Sequence, residues 1–164
     1  MFRIGHSHDT HKLVSGRKLI LGGVLIDYQL GSLGHSDGDV VYHVVSESII
    51  GALGLGDLGT HFSDTNMKYK DYNSSLFVIE TVRMMKEKGY YVNNIDITIF
   101  LEEPNLKNYK IQMRQNIAQL LEVDPEFVNV KATRGEELGF IGRKEGISAE
   151  AVVLLESKPM FKKL

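Results

Sequence analysis

The sequence predicts an α/β (α+β) domain in which a single-layer mixed β-sheet carries helices on one face. Short apolar runs of strand length alternate with longer runs whose apolar residues recur at helical spacing. The 164 residues suit one domain, spanning positions 1–164, with a core that needs no covalent staple. No internal repeat, low-complexity tract or compositional break divides the chain. With 43% hydrophobic and 24% charged residues, its usage is that of an ordinary globular protein.

Residues 2–8 read as a first strand, and residues 18–26 as a hairpin pair turning at Gly22-Gly23. A loop over 31–38 leads into a helix over 39–53. Its Val41, Val44, Val45, Ile49 and Ala52 share one face, and Gly54 and Gly56 stop it. His43 lies beside that stripe, four residues from both Asp39 and Glu47. A loop rich in glycine and aspartate covers 54–66. Asn73-Ser74-Ser75 reads as the cap of a helix running to Lys88 and closed by Gly89. Residues 95–101 form a buried strand. Residues 107–122 form an amphipathic helix with Ile111, Ile117, Leu120 and Leu121 inward, and 127–133 and 147–155 are the last strands. A sheet covered on one face leaves the other bare, and self-association is the expected cover.

The composition excludes several functions. Without cysteine, neither disulfides nor thiolate metal sites are available, so a metal must take His, Asp or Glu ligands. A net charge of −2 gives no basis for nucleic acid or a membrane surface as the main partner. No apolar run approaches the roughly 18 residues of a membrane span. The chain opens on strand-like Phe2-Arg3-Ile4 rather than a targeting segment, so a cytoplasmic location is expected.

Chemistry concentrates in four clusters. Asp9 and His11 lie two residues apart, so on an extended strand they point the same way. His43, on the following helix, could close three corners of a tetrahedron and leave the fourth open for a substrate, as zinc sites do. Each histidine alone also reads as an ordinary hydrogen bonder. His6 and His8 have the opposite parity and stay outside the set. His35-Ser36-Asp37-Gly38-Asp39 precedes the helix bearing His43. It reads either as a helix cap or as a phosphate-binding turn, with Asp37 and Asp39 orienting a metal-bound imidazole. Gly56-Asp57-Leu58-Gly59 and Phe62-Ser63-Asp64-Thr65-Asn66 suit a turn, or two carboxylates facing a polyol. Lys131-Ala132-Thr133-Arg134-Gly135-Glu136 opens at a strand end. It suits a diphosphate with a divalent cation, Arg134 taking oxygens and Glu136 the metal, or simply a charged turn into a short helix.

Taken in order, these clusters resemble the 2-C-methyl-D-erythritol 2,4-cyclodiphosphate synthase family. The resemblance rests on Asp9-x-His11, His35-Ser-Asp-Gly-Asp39 with His43, Gly56-Asp57-x-Gly59 and Phe62-x-Asp64-Thr65. It continues through Lys131-Ala-Thr133-x-x-Glu136-x-Leu-Gly-Phe140-x-Gly-Arg143-x-Glu-Gly146 and spans nearly the whole chain. It implies a homotrimer whose sheets form the central core, with active sites between subunits. Zinc would sit on Asp9, His11 and His43, and a second divalent ion, Mg2+ or Mn2+, would be reached by Glu136. The implied reaction cyclises 4-diphosphocytidyl-2-C-methyl-D-erythritol 2-phosphate and releases CMP, in the non-mevalonate isoprenoid pathway.

The same resemblance places His35 and Arg134 at the reacting phosphates. It assigns substrate contacts to Asp9, Thr10, His11, Ser36, Asp57, Leu58, Gly59, Phe62, Ser63, Asp64, Thr65 and Asn66. Leu101, Glu103, Asn105, Lys107, Thr133 and Glu136 would meet the cytidine diphosphate half. Phe140 and Arg143 match positions near a trimer axis where a prenyl diphosphate sometimes binds. Two departures stand out: Arg134-Gly135 replaces the usual threonine pair, and Asn105 replaces the lysine common after the proline. They leave two other readings open, a zinc phosphodiesterase acting on a nucleotide diphosphate and a non-catalytic trimer binding metal and prenyl diphosphate.

Overall fold

The computed structural model describes residues 1–62 and 73–157. Seven strands form: β1 (Phe2–Ser15), β2 (Leu19–Leu21), β3 (Val24–Ile26), β4 (Leu30–Ser32), β5 (Tyr90–Phe100), β6 (Val128–Thr133) and β7 (Gly146–Ser157). The helices are α1 (Val40–Leu53), α2 (Leu58–His61), α3 (Ser75–Glu87), α4 (Lys110–Leu121) and α5 (Gly139–Gly142). One five-stranded sheet runs β4-β1-β7-β5-β6, beside a separate β2-β3 hairpin. Only β5 and β6 pair in parallel, so the sheet is mixed, as expected.

β1 is far longer than its polar sequence suggests. The run His6-Ser-His-Asp-Thr-His11 has few strand formers, yet it stays extended because its backbone pairs with β7 from Phe2↔Glu156 to Lys12↔Gly146. The two-residue alternation therefore continues without a break. Arg3, Gly5, Ser7, Asp9 and His11 all project to the face that carries the helices.

Helix α1 crosses that face antiparallel to β1, and the contacts record its direction. Arg3 donates to the Ala52 carbonyl (3.2 Å), Ser7 Oγ to Glu47 Oε2 (2.9 Å), and Asp9 Oδ2 meets His43 Nδ1 at 3.1 Å. Such proximity needs Gly5: a Cβ there would stand 1.8 Å from the Ser48 carbonyl oxygen. The start of α1 is clamped separately. Asp39 accepts backbone N–H bonds from Val41 and Tyr42 of its own helix, and from Gly22 (2.9 Å) and Gly23 (2.8 Å) in the hairpin turn. Both glycines have positive φ, 55° and 73°, as a tight two-residue hairpin requires. Gly54, left-handed at φ 67°, ends the helix.

The core lies between sheet and helices. Ile95, Ile97 and Ile99 of β5 and Ile147, Ala149, Ala151, Val153 and Leu155 of β7 are buried against Val41, Val44, Val45 and Ile49 and the faces of α3 and α4. Each large side chain so buried contributes roughly 1.5–3 kcal/mol. The opposite face of the sheet is bare, and Ile4 (72%), Phe2 (61%) and Val152 (48%) are exposed there.

Several expectations are corrected. β4 occupies part of the loop expected over 31–38, held by pairing of Leu13↔Ser32. The short helix α2 also falls where only loop was expected, while α5 is the short helix expected after the charged turn. β5 begins at Tyr90 rather than 95, because a bulge between Val92 and Asn94 breaks the apolar alternation. Ile111 is exposed rather than inward. The helix starts at Lys110, and its buried stripe is Met113, Ile117, Ala118 and Leu121.

Candidate active site

Asp9 and His11 from β1 meet His43 from α1 in a nearly equilateral triangle. Asp9 Oδ2 lies 3.0 Å from His11 Nε2 and 3.1 Å from His43 Nδ1, and the two ring nitrogens are 3.1 Å apart. Ligands around a tetrahedral zinc at about 2.0–2.1 Å stand roughly 3.3 Å from one another. The surrounding hydrogen bonds decide whether the triangle fits an ion. His11 Nδ1 lies 2.7 Å from the Leu33 carbonyl, which can only accept, so the proton of a neutral His11 sits there. His11 Nε2 then presents a lone pair. On His43, Nε2 faces the hydroxyls of Ser36 and Ser74, both at 3.1 Å. Ser74 Oγ gives its own proton to Asp37 Oδ1 (2.5 Å), so toward His43 it can only accept, which favours the tautomer with the proton on Nε2 and a lone pair on Nδ1. Two nitrogen lone pairs and a carboxylate thus converge on one point. This donor set fits a divalent cation of the zinc type.

Without a cation, protons occupy the space between these atoms. Burial acts to raise the Asp9 carboxyl, but hydrogen bonds and charge from His11 and His43 prevail and hold it far below the usual carboxylate range. Burial likewise acts to lower His11, and the Asp9 hydrogen bond and charge outweigh it, leaving His11 raised. Asp39 does not orient His43 as the sequence suggested. Its carboxylate is fully used by four backbone N–H groups, and burial pushes it up to about 6. Of Asp37 and Asp39, Asp37 alone reaches the imidazole, through Ser74.

The triangle opens into a cleft of about 370 Å³ lined by Asp9, His11, His35, Ser36, His43, Leu58, Gly59, Phe62 and Phe77. Most residues expected near a bound polyol phosphate therefore assemble here. Asp57 has a separate task, capping α2 by accepting from Thr60 N (2.8 Å) and Thr60 Oγ1 (2.6 Å). The Thr10 side chain lies on the opposite face of the sheet, bonded to Ser148 Oγ at 2.7 Å, with His8 beside it. Any contact Thr10 makes in this cleft comes from its backbone. Ser63, Asp64, Thr65 and Asn66 lie outside the described residues.

A second cleft, about 400 Å³, is lined by residues 101–106 together with Ala132, Thr133, Arg134 and Glu136. It gathers Leu101, Glu103, Asn105, Thr133 and Glu136 of the residues expected at the nucleotide, while Lys107 lies outside its lining. Two junctions join its walls: Leu101 N donates to the Thr133 carbonyl (3.0 Å), and Gly135 N to Glu102 Oε2 (2.8 Å). Glu102 thus positions the turn bearing Arg134 and Glu136, a role that no local motif announced. Glu136 and Glu137 both hold left-handed backbone, φ 51° and 63°, a strained pair for residues with a Cβ. Gly135 has a packing reason. A Cβ there would lie 2.8 Å from Gly142 N and 3.0 Å from the Leu138 carbonyl. Asn105 Oδ1 accepts from Lys107 N (2.9 Å), and Glu103 pairs with Lys144 (2.9 Å). Phe140 packs near Gly146, and Arg143 forms a fork with Glu145 at 3.0 Å on both arms.

A mixed α/β sheet domain with an Asp-His-His centre at the base of one cleft, and a separate cleft lined by acidic and cationic side chains, defines a metal-dependent enzyme acting on phosphate esters. The comparisons specify it. A model of the YgbB family matches residues 2–156. A 2-C-methyl-D-erythritol 2,4-cyclodiphosphate synthase from Geobacillus sp. is 51% identical over 158 residues, covering 96% of this chain and 100% of that protein. The synthase of Geotalea uraniireducens is 53% identical over 156 residues, 95% and 99% of the two chains. Among solved structures, the bifunctional IspDF of Campylobacter jejuni superposes with a TM-score of 0.93 at 41% identity, covering 96% of this chain and 43% of that one. A Plasmodium falciparum IspF in complex with CDP superposes at 0.86 with 35% identity, covering 96% and 97%. The chain belongs to the YgbB family, that of the 2-C-methyl-D-erythritol 2,4-cyclodiphosphate synthases.

Proposed function

We infer that this chain carries out the reaction for which those relatives are named. It converts 4-diphosphocytidyl-2-C-methyl-D-erythritol 2-phosphate to the 2,4-cyclodiphosphate and releases CMP, a step of the non-mevalonate isoprenoid pathway. The observation that carries this reading is the convergence of Asp9, His11 and His43 at the base of the first cleft. In the reaction, an oxygen of the 2-phosphate attacks the β-phosphorus of the same molecule. The bond from that phosphorus to the bridging oxygen breaks, and CMP leaves with that oxygen. A zinc ion held by the three residues would supply Lewis-acid charge to the phosphate oxygens. The protein's own part is positioning and charge neutralisation, which dominate phosphoryl transfer.

His35 donates to phosphate oxygens at the mouth of the first cleft, where Leu58, Gly59 and Phe62 enclose the methylerythritol. Ser36 spends its hydroxyl on His43 and Ser74, so its contact to phosphate comes from its own backbone in the turn that precedes α1. Arg134 stands where the usual hydroxyl would be and neutralises the diphosphate with a full charge. Thr133 and Glu136 share its cleft, and Glu136 is the protein ligand for a second ion, Mg2+ or Mn2+, which typically binds one carboxylate plus substrate phosphates. Leu101, Glu103 and Asn105 line the cytosine end, with Lys107 just beyond the Asn105 turn.

The bare sheet face joins two further copies into a homotrimer, burying Phe2, Ile4 and Val152 and bringing one subunit's metal cleft to another's nucleotide cleft. Arg143 and Phe140 then approach the axis. A prenyl diphosphate bound there would have to draw Arg143 away from Glu145. Phosphorus NMR of the purified protein with substrate, zinc and magnesium tests the reaction: a cyclic diphosphate plus CMP is expected, and two open phosphates would replace the cyclase by a hydrolase. Sedimentation at micromolar concentration should give the mass of three chains.

A further inference from the structure

The sequence marks Ser74 as part of a helix cap, and the structure removes it from that duty. Asn73 Oδ1 accepts from Ser75 N (2.9 Å), while Ser74 makes no side-chain capping bond to α3. Its hydroxyl, fully buried, turns instead toward the metal centre. It lies 3.1 Å from His43 Nε2, 3.2 Å from Ser36 Oγ and 2.5 Å from Asp37 Oδ1. Asp37 holds the same residue a second time, accepting from Ser74 N at 3.1 Å.

We propose that Ser74 is a positioning residue of the metal centre. With Asp37, it fixes the ring orientation and tautomer of His43, so that Nδ1 presents its lone pair beside Asp9 and His11.

With His43 Nδ1 serving as a ligand atom, the ring proton is on Nε2 and the proton ledger allows one arrangement. The Asp37 carboxylate can only accept, so Ser74 Oγ–H points to it. Ser36 Oγ already accepts from Gly38 N (3.2 Å) and gives its proton toward Ser74. Ser74 Oγ is left as an acceptor for His43 Nε2–H, and His43 Nδ1 is left bare. A carboxylate thus reaches the ligating imidazole through one hydroxyl, a longer version of the carboxylate–histidine–metal arrangement. The chain also joins the start of α3 to the 35–39 turn, so two segments of the fold meet at the metal ligand.

This inference rests on the metal reading above, and its test separates the two. Zinc affinity is measured by competition with a chromogenic chelator, alongside the Tm of the metal-free protein. Ser74→Ala should weaken zinc by about 10–100-fold while the metal-free Tm stays close to that of the unaltered protein. Ser74→Thr, which keeps the hydroxyl, should recover most of the affinity. Asp37→Asn serves where Ser74→Ala does not fold, and roughly a tenfold weakening is expected there. Unaltered protein that takes up no zinc removes both readings. Unaltered protein that takes up zinc, with Ser74→Ala or a folded Asp37→Asn equal to it, overturns the role of Ser74 alone.

Discussion

His11 Nε2 and His43 Nδ1 face each other across 3.1 Å, and the opposite nitrogen of each ring is committed elsewhere, to the Leu33 carbonyl and the Ser74 hydroxyl. Two lone pairs so placed repel unless a cation or a proton lies between them. His43→Ala should therefore abolish zinc retention after dialysis and lower turnover on the order of 10³-fold, the scale of several kcal/mol of charge stabilisation. Elemental analysis with a steady-state assay checks this. Full activity in the metal-free variant would falsify the ligand assignment.

Protons and metal compete for the same atoms. Asp9 is lowered from 3.8 and His11 raised from 6.5, so in metal-free protein their pairing stabilises the fold fully between those two values. That stability is lost as pH falls through the lowered Asp9 value and as pH rises through the raised His11 value. His43 and Asp39 face the same pair, and the ionised Asp39 charge adds to the rise of His11. Zinc needs the deprotonated His11, so the gain in Tm on adding zinc should be larger at pH 8 than at pH 6. Calorimetry at the two pH values, with chelated protein as reference, measures it.

Gly5 lets α1 rest on β1. Gly5→Ala would set a Cβ 1.8 Å from a backbone oxygen that no side-chain rotation can relieve. The expected cost reaches or exceeds about 3 kcal/mol, the upper range of overpacking. The displaced helix should also weaken zinc binding, because His43 rides on it. Urea denaturation with a zinc titration reads both effects.

The two departures at 134–135 should behave differently. Arg134→Thr alters an exposed side chain of the second cleft and should keep turnover within about tenfold, the loss of one charge–phosphate contact. Gly135→Thr cannot be accommodated beside Gly142 and Leu138 without moving the turn that carries Glu136. It should lower kcat far more, with zinc content unchanged. Equal kinetics for the two variants would remove the packing explanation.

Much of this protein was legible from local pattern. The helix over 40–53 and its Asp39 cap, the Gly22-Gly23 hairpin and the central strands follow from periodicity and turn chemistry. So does the choice of Asp9 and His11, since two-residue spacing on a strand fixes a shared face. Less legible was anything set by pairing with a distant segment. The extension of β1 to Ser15 depends on β7, more than a hundred residues away. The exposure of Ile111 depends on where α4 begins, which spacing leaves open by a few residues.

The sequence by itself determined the donor types, their order and the family they resemble, because those are properties of residue identity and spacing. Only the tertiary structure decided which lone pairs meet. Strand β4 sets the Leu33 carbonyl against His11, Gly5 admits α1 to the distance His43 needs, and Ser74 abandons its cap for His43 and Asp37. Each of these rests on atoms brought together across the fold, where hydrogen-bond direction and close packing act over distances that no local spacing records.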